Sequence, residues 1–195
     1  MSTLVLKKND SLNLSKAIAS LTKYVVGLSW DANTDLDAVA VCLDQNGKLI
    51  TPDTNNIAYY GNCTKNKFKN AENPVPGLTH SGDARDGSAA GDDETITVDT
   101  LALRADVAKV VIAVTSYTEG EPTIFGAASH PVAKLYDHNN KVLFEVKLAE
   151  DAPFSTAIAF VEFYKENGDW KVKHLSQSLN GCSANGLVDV LNAYQ

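Results

Sequence analysis

Five carboxylates and one arginine crowd into residues 82–94, where Asp83, Arg85, Asp86, Asp92, Asp93 and Glu94 are punctuated by Gly82, Gly87 and Gly91. The glycines let the backbone turn tightly enough to bring acids distant along the loop side by side. Two like charges about 5 Å apart repel by roughly 3 kcal/mol at an effective dielectric near 20, so side chains converging in such a loop favour a cation between them. Carboxylate and carbonyl oxygens suit a hard ion, calcium before magnesium, because calcium accepts many oxygens in a flexible cage. The same composition also describes a solvated surface turn. A second acidic run strengthens the metal reading, since Asp31, Asn33, Asp35 and Asp37 set an oxygen side chain at every second position. Its opening matches the D-x-N-x-D of an EF-hand loop, but such a loop needs glycine at its sixth position and glutamate at its twelfth. Here those positions are Leu36 and Cys42, which rules the EF-hand out.

Other chemistries lack their residues. The glycines of the acidic loop are not followed by the G-K-[ST] of a phosphate-cradling loop. His80, His130, His138 and His174 are scattered, with no H-E-x-x-H spacing for zinc. No G-x-S-x-G nucleophile elbow occurs, and Gly91-Asp92-Asp93 has neither the chain length nor the basic channel of a polymerase around it. Cys42, Cys63 and Cys182 are odd in number and far apart, which fits a reducing compartment rather than a disulfide framework.

The elements that must position the acids read as short strands. Tyr24 to Leu28 is β-rich and leads to the first acidic run; residues 38–43 are apolar on both faces, as in a buried sheet. If Asp35 and Asp37 are already extended, their side chains share one face and can close a cage with the later loop. Asn46-Gly47 predicts a hairpin, and 57–60 a short strand. Residues 62–80 read as a long irregular loop, a lid or an insertion. Further strands are predicted over 95–98, 110–115, 132–136 and 142–148, with a hairpin joining 156–164 to 170–175. The alternating apolar positions of 4–16 suggest an edge strand or hairpin; helices are expected only over 101–107 and 187–191. Many short strands with Gly, Asn and Pro turns predict an all-β, two-sheet β-sandwich with short helices and long acidic metal-binding loops at one end. A length of 195 residues fits one domain spanning 1–195.

A net charge of −7 argues against nucleic acid, whose phosphates demand a basic surface. The first ten residues hold only three consecutive apolar positions before two lysines, so neither a secretory signal nor membrane insertion is expected there.

These motifs together resemble the TerD-like tellurium-resistance and stress-protein family. The resemblance rests on the run from Lys7 to Lys16, Val25 to Asp31, Thr34-Asp35-Leu36-Asp37-Ala38, His80-Ser81-Gly82-Asp83, and Gly91-Asp92-Asp93-Glu94. Phe125-Gly126, Leu148-Ala149-Glu150-Asp151 and the stretch carrying Ala157, Phe160, Glu162 and Tyr164 extend it over nearly the whole chain. The resemblance implies a β-sandwich, a cytoplasmic location, and two neighbouring calcium ions held by acidic loops at one end. By position, Asp31, Asp35, Asp37, Asp83, Asp92, Asp93 and Glu94 match the family's acidic positions. Ala84 or Ala90 is expected to lend a backbone carbonyl. Ala84, Asp86 and Ala89 depart from the family's asparagine, threonine and glycine: one amide oxygen is lost and Asp86 adds a charge, which points to a weakened or rebuilt site. Ser155 stands where an acid is common, and Glu119, with Glu121, Glu150 and Glu162, is a reserve ligand. The function implied is a calcium-ordered binding or scaffold module without a reaction of its own, open to protein partners in a stress-response complex. The alternatives are a metal-dependent phosphoester hydrolase and a calcium-dependent binder of a small ligand such as a cyclic nucleotide.

Overall fold

A computed structural model describes residues 7–13, 22–31, 34–50, 56–63 and 72–195. The described residues form two antiparallel six-stranded sheets. The strands are β1 (Ser11–Asn13), β2 (Lys23–Ser29), β3 (Asp35–Leu43), β4 (Ile57–Ala58), β5 (Glu72–Val75), β6 (Leu78–His80), β7 (Glu94–Asp99), β8 (Lys109–Tyr117), β9 (Val132–Tyr136), β10 (Val142–Lys147), β11 (Ala157–Glu166) and β12 (Asp169–Ser178). One sheet runs β1-β12-β11-β8-β3-β4 and the other β10-β9-β2-β7-β6-β5.

Strand periodicity divides the apolar residues between two layers. In β3, Leu36, Ala38, Ala40 and Cys42 face the opposite sheet, where they join Val26, Leu28, Leu78, Ile96 and Leu135 in the main core. The alternate residues Val39, Val41 and Leu43 form a second cluster on the outer face with Val111, Ala113, Ala157 and Ala159. The C-terminal helix Gly186–Tyr194 covers that face with Leu187 and Val190. This two-sided burial is why residues 38–43 read as a continuous apolar run. Asp35 and Asp37 continue the outer-face alternation of Val39 and Val41 toward the start of the strand, beside the first residue of the helix, Gly186, which packs on Thr115 opposite Asp37.

Five local expectations meet different outcomes. Part of the segment expected to be irregular, 72–80, is the hairpin β5–β6, with Val75 opposite Leu78. Pro76 has its φ preset by its ring and Gly77 takes a φ of +85°, so a tight two-residue connection forms. Residues 101–107 form successive turns instead of a helix. Asp99 accepts the Leu101 N–H on its side chain (3.2 Å) and the Ala102 N–H on its carbonyl (3.1 Å), a local alternative to helical bonding. The Asn46-Gly47 turn closes through Asp44 N–H donating to Lys48 O at 2.8 Å, but it carries only the bridge Leu43 to Leu49. The C-terminal helix runs longer than 187–191, its first turn capped by the Asn185 side chain accepting from Leu187 N–H at 3.0 Å. Positions 4–6 and 14–16 of the predicted 4–16 edge lie outside the described residues, whereas Ser11–Asn13 is an edge strand paired with β12.

Candidate metal centre

Register across β3 and β8 sets Asp35 opposite Tyr117 and Asp37 opposite Thr115, on the outer face. The loop leaving β6 brings Asp83 to the same place. Oxygen atoms of Asp35, Asp37 and Asp83 lie within 4.8 Å of one another. Asp37 is 2% exposed. Asp35 Oδ1 is buried and accepts no hydrogen bond from the described residues. Burial, then the charge of Asp83, pushes the Asp35 carboxyl up to about 6, with Arg85 partly opposing the rise. Burial and the charges of Asp35 and Asp83 hold Asp37 well above the ordinary carboxylate range. Three acids without enough donors among themselves thus line a cavity of about 370 Å³, walled by Tyr60, Tyr117 and Arg85.

Two buried side chains from the opposite sheet hold this arrangement. Strand β4 is only two residues long and pairs with Ala40 and Val41, so the edge of β3 at Ala38 would be bare. Glu94, at the start of β7, accepts the Ala38 N–H on Oε2 at 2.8 Å and the Ala84 N–H on Oε1 at 3.0 Å. It therefore grips the residues immediately following Asp37 and Asp83. Burial, then the charge of Asp37, raises the Glu94 carboxyl well above the ordinary range. His80 completes the edge: Gly82 N–H donates to Nδ1 at 3.1 Å, which places the ring proton on Nε2, 2.9 Å from Ala38 O. Burial lowers the His80 pKa, and both ring nitrogens serve a neutral imidazole. The 3.7 Å approach of His80 to Glu94 is consequently not an ion pair.

A TerD domain match spans residues 1–194. The chain belongs to the TerD family. It is 34% identical to "Tellurium resistance protein TerD" of Serratia marcescens, over 97% of this chain and 95% of that one. It is 32% identical to "General stress protein 16U" of Bacillus subtilis (strain 168), over 92% of each chain. Among solved structures it is similar to a homologue of telluride resistance protein (TerD) from Streptomyces coelicolor A3(2), with a TM-score of 0.71 at 16% identity, covering 90% of this chain and 99% of that one. The sandwich and the tellurium-resistance and stress-response family thus agree with the motif resemblance.

The acidic positions that match the TerD pattern separate into distinct environments. Asp35, Asp37 and Asp83 converge. Glu94 is a backbone clamp behind them, and Ala84 contributes its N–H to that clamp. Asp93 braces the loop, accepting from Trp30 N–H at 3.1 Å and Ala89 N–H at 2.9 Å. Asp92 turns away, with Oδ1 3.2 Å from Lys134 Nζ; it also accepts from the Tyr136 hydroxyl, whose pKa is raised by burial first and by this bond second. A Cβ on Gly27 would stand 2.1 Å from Asp92 Oδ2, so only glycine leaves that carboxylate its room. Asp31 is exposed and pairs with His130 Nδ1 at 2.7 Å. Asp86 is exposed on a second cavity of about 360 Å³, which shares Asp83 and Arg85 with the triad cavity. Glu119 is exposed on the rim of the triad cavity. Glu150 and Glu162 pair with Lys147 and Lys109.

The clamp role of Glu94 and the walls Tyr60 and Tyr117 escaped the sequence reading. Period-2 alternation along β8 put Thr115 and Tyr117 on one face, but only the β3–β8 register shows that this face is the one carrying Asp35 and Asp37.

Proposed function

We propose that this TerD-family chain is a calcium-ordered binding module, non-enzymatic and cytoplasmic, that presents its loop-bearing end to a partner in a stress response. The observation that carries this reading is the convergence of Asp35, Asp37 and Asp83, partly to fully buried, with the buried Asp35 Oδ1 receiving no hydrogen bond from the described residues. A hard divalent ion fits that donor set: it supplies positive charge to oxygens that repel one another and needs no directional hydrogen bond. The three aspartates would hold one ion. A second ion, expected from the family resemblance, would lie in the adjoining cavity near Asp83 and Asp86, with Ala84 as a carbonyl source. Bound calcium would tie the end of β3 to the loop after β6, segments that repel in its absence.

The names of the relatives, a tellurium resistance protein and a general stress protein, support a protective role without a reaction. Three free cysteines, two of them buried, agree with a reducing compartment. No helix among the described residues is long and apolar enough to cross a membrane. Tyr60 and Tyr117 beside the triad favour a second reading, in which a small ligand binds over the ion against these rings.

The test compares unfolding in calcium and in chelator. Calcium at a hundred times its dissociation constant should stabilise the chain by about 2.7 kcal/mol. Asp37→Asn should abolish most of that gain. An unchanged melting curve in millimolar calcium would overturn the proposal.

A further inference from the structure

Arg85 is the cation that lines the cavity of the aspartate triad. Lys134 is engaged with Asp92 on the other sheet, Lys109 pairs with Glu162 at the opposite end of β8 from the triad, and Arg104 pairs with Asp106. His80 is neutral. Among the described residues lining the triad cavity and its neighbour, Arg85 is the only positively charged one.

Its Nε is 3.3 Å from Asp83 Oδ2, and its charge acts on Asp35 and Asp37 in the direction opposite to burial. Its side chain is 68% exposed, whereas that of Asp83 is 12% exposed. The carboxylate is therefore held in the fold while most of the guanidinium side chain faces water. Arginine is a chemically apt counter-ion here because it stays charged at every physiological pH and is more weakly hydrated than an ammonium.

Resting on the metal reading above, we infer that Arg85 is a tethered counter-cation for the aspartate triad. Without an ion its guanidinium offsets part of the triad's negative charge; when a divalent ion enters, it must withdraw, so this side chain sets the concentration at which the site fills. The reason is electrostatic. A lone pair of Asp83 Oδ2 that accepts from the guanidinium is directed away from the ion, and two cations a few ångströms apart in a partly buried cleft repel. Because Arg85 is attached two residues from Asp83, it competes at a high effective concentration whatever the solution contains. A site so guarded ignores weakly held ions and fills only when a divalent cation outcompetes the tether. The departure of Arg85 also changes the surface, releasing a guanidinium at the rim as calcium binds.

The experiment uses the full chain stripped of metal. Calcium is titrated calorimetrically into wild type, Arg85→Gln and Arg85→Lys, and each is melted in chelator and in calcium. In parallel, the Nε–H resonances of wild type are followed by ¹⁵N NMR. The chain has two arginines, so Arg104 is an internal reference. Arg85→Gln should bind calcium roughly tenfold more tightly, with Arg85→Lys between it and wild type. It should melt below wild type in chelator and not in calcium. The Arg85 Nε–H signal should move in proportion to calcium bound while that of Arg104 stays. Equal or weaker calcium binding by Arg85→Gln, with wild type still binding, overturns the counter-cation role and leaves the metal reading standing. An Arg85 signal unmoved at saturating calcium overturns it too, because a charge acting only through space need not withdraw. Absence of calcium binding in both wild type and Arg85→Gln overturns the metal reading and this inference with it.

Discussion

Asp37 and Asp189 leave 2% and 1% of their surface exposed, yet their surroundings are opposite. Asp189, on the C-terminal helix, accepts from Ser183 N–H at 2.9 Å, Ser183 Oγ–H at 2.6 Å and Thr156 Oγ1–H at 3.1 Å. Those donors replace its hydration shell, and the carboxylate fastens the helix to the turn before it and to the residue that leads into β11. Asp37 instead faces Asp35 and Asp83, and a fourth buried acid, Glu94, stands behind it. Burial alone therefore does not mark a functional acid. What separates the two is whether donors or other acids fill the first contacts: the former makes a staple, the latter a site that gains from a cation.

Asp189→Ala offers the sharpest break in this comparison. It leaves one buried and two part-buried donors without their acceptor and should cost about 3 kcal/mol by urea denaturation, equally in calcium and in chelator. A loss that calcium repaired would place Asp189 with the triad and dissolve the contrast.

A smaller effect follows from pH. The folded chain holds the Asp35 proton up to about 6, whereas the unfolded chain releases it in the ordinary carboxylate range, near 4. In chelator, the unfolded state therefore gives up this proton first as pH rises. Wild type should lose stability relative to Asp35→Asn between about pH 4 and 6, by roughly 1.5 kcal/mol after discounting for partial exposure, and the gap should stay level above that. Saturating calcium should reverse the order of the two proteins at pH 7. Parallel melting temperatures across this window in chelator would show that Asp35 is not strained by its neighbours.

Asp92→Asn should do least. Its loss of the Lys134 pair is worth about 1 kcal/mol or less, and calcium affinity should hold within about twofold. A large fall in affinity would move Asp92 from the far side of the sheet into the metal centre.

The sandwich was legible because its signals are local. Alternation along 94–99, the two-sided apolar run of β3, and the Asn167-Gly168 turn between β11 and β12 each depend on neighbours in sequence. The β5–β6 hairpin was missed although its Pro76-Gly77 turn is equally local, since flanking strands of four and three residues carry too little periodicity to stand out. The expected helix at 101–107 failed for the converse reason: its apolar spacing is real, but Asp99 draws the first N–H groups into a turn.

By itself, the chain's sequence determined which segments pair as strands, where acids accumulate, and to which family the protein belongs, because all three depend on residue order. Tertiary structure alone decided which acids meet. Asp83 reaches Asp37 only because Glu94 and His80 complete a strand edge that β4 is too short to cover, while Asp92, nine residues later in the same loop, is drawn off by Lys134. A carboxylate's role is set by the donors and charges around it, and those come from segments more than forty residues apart in the chain.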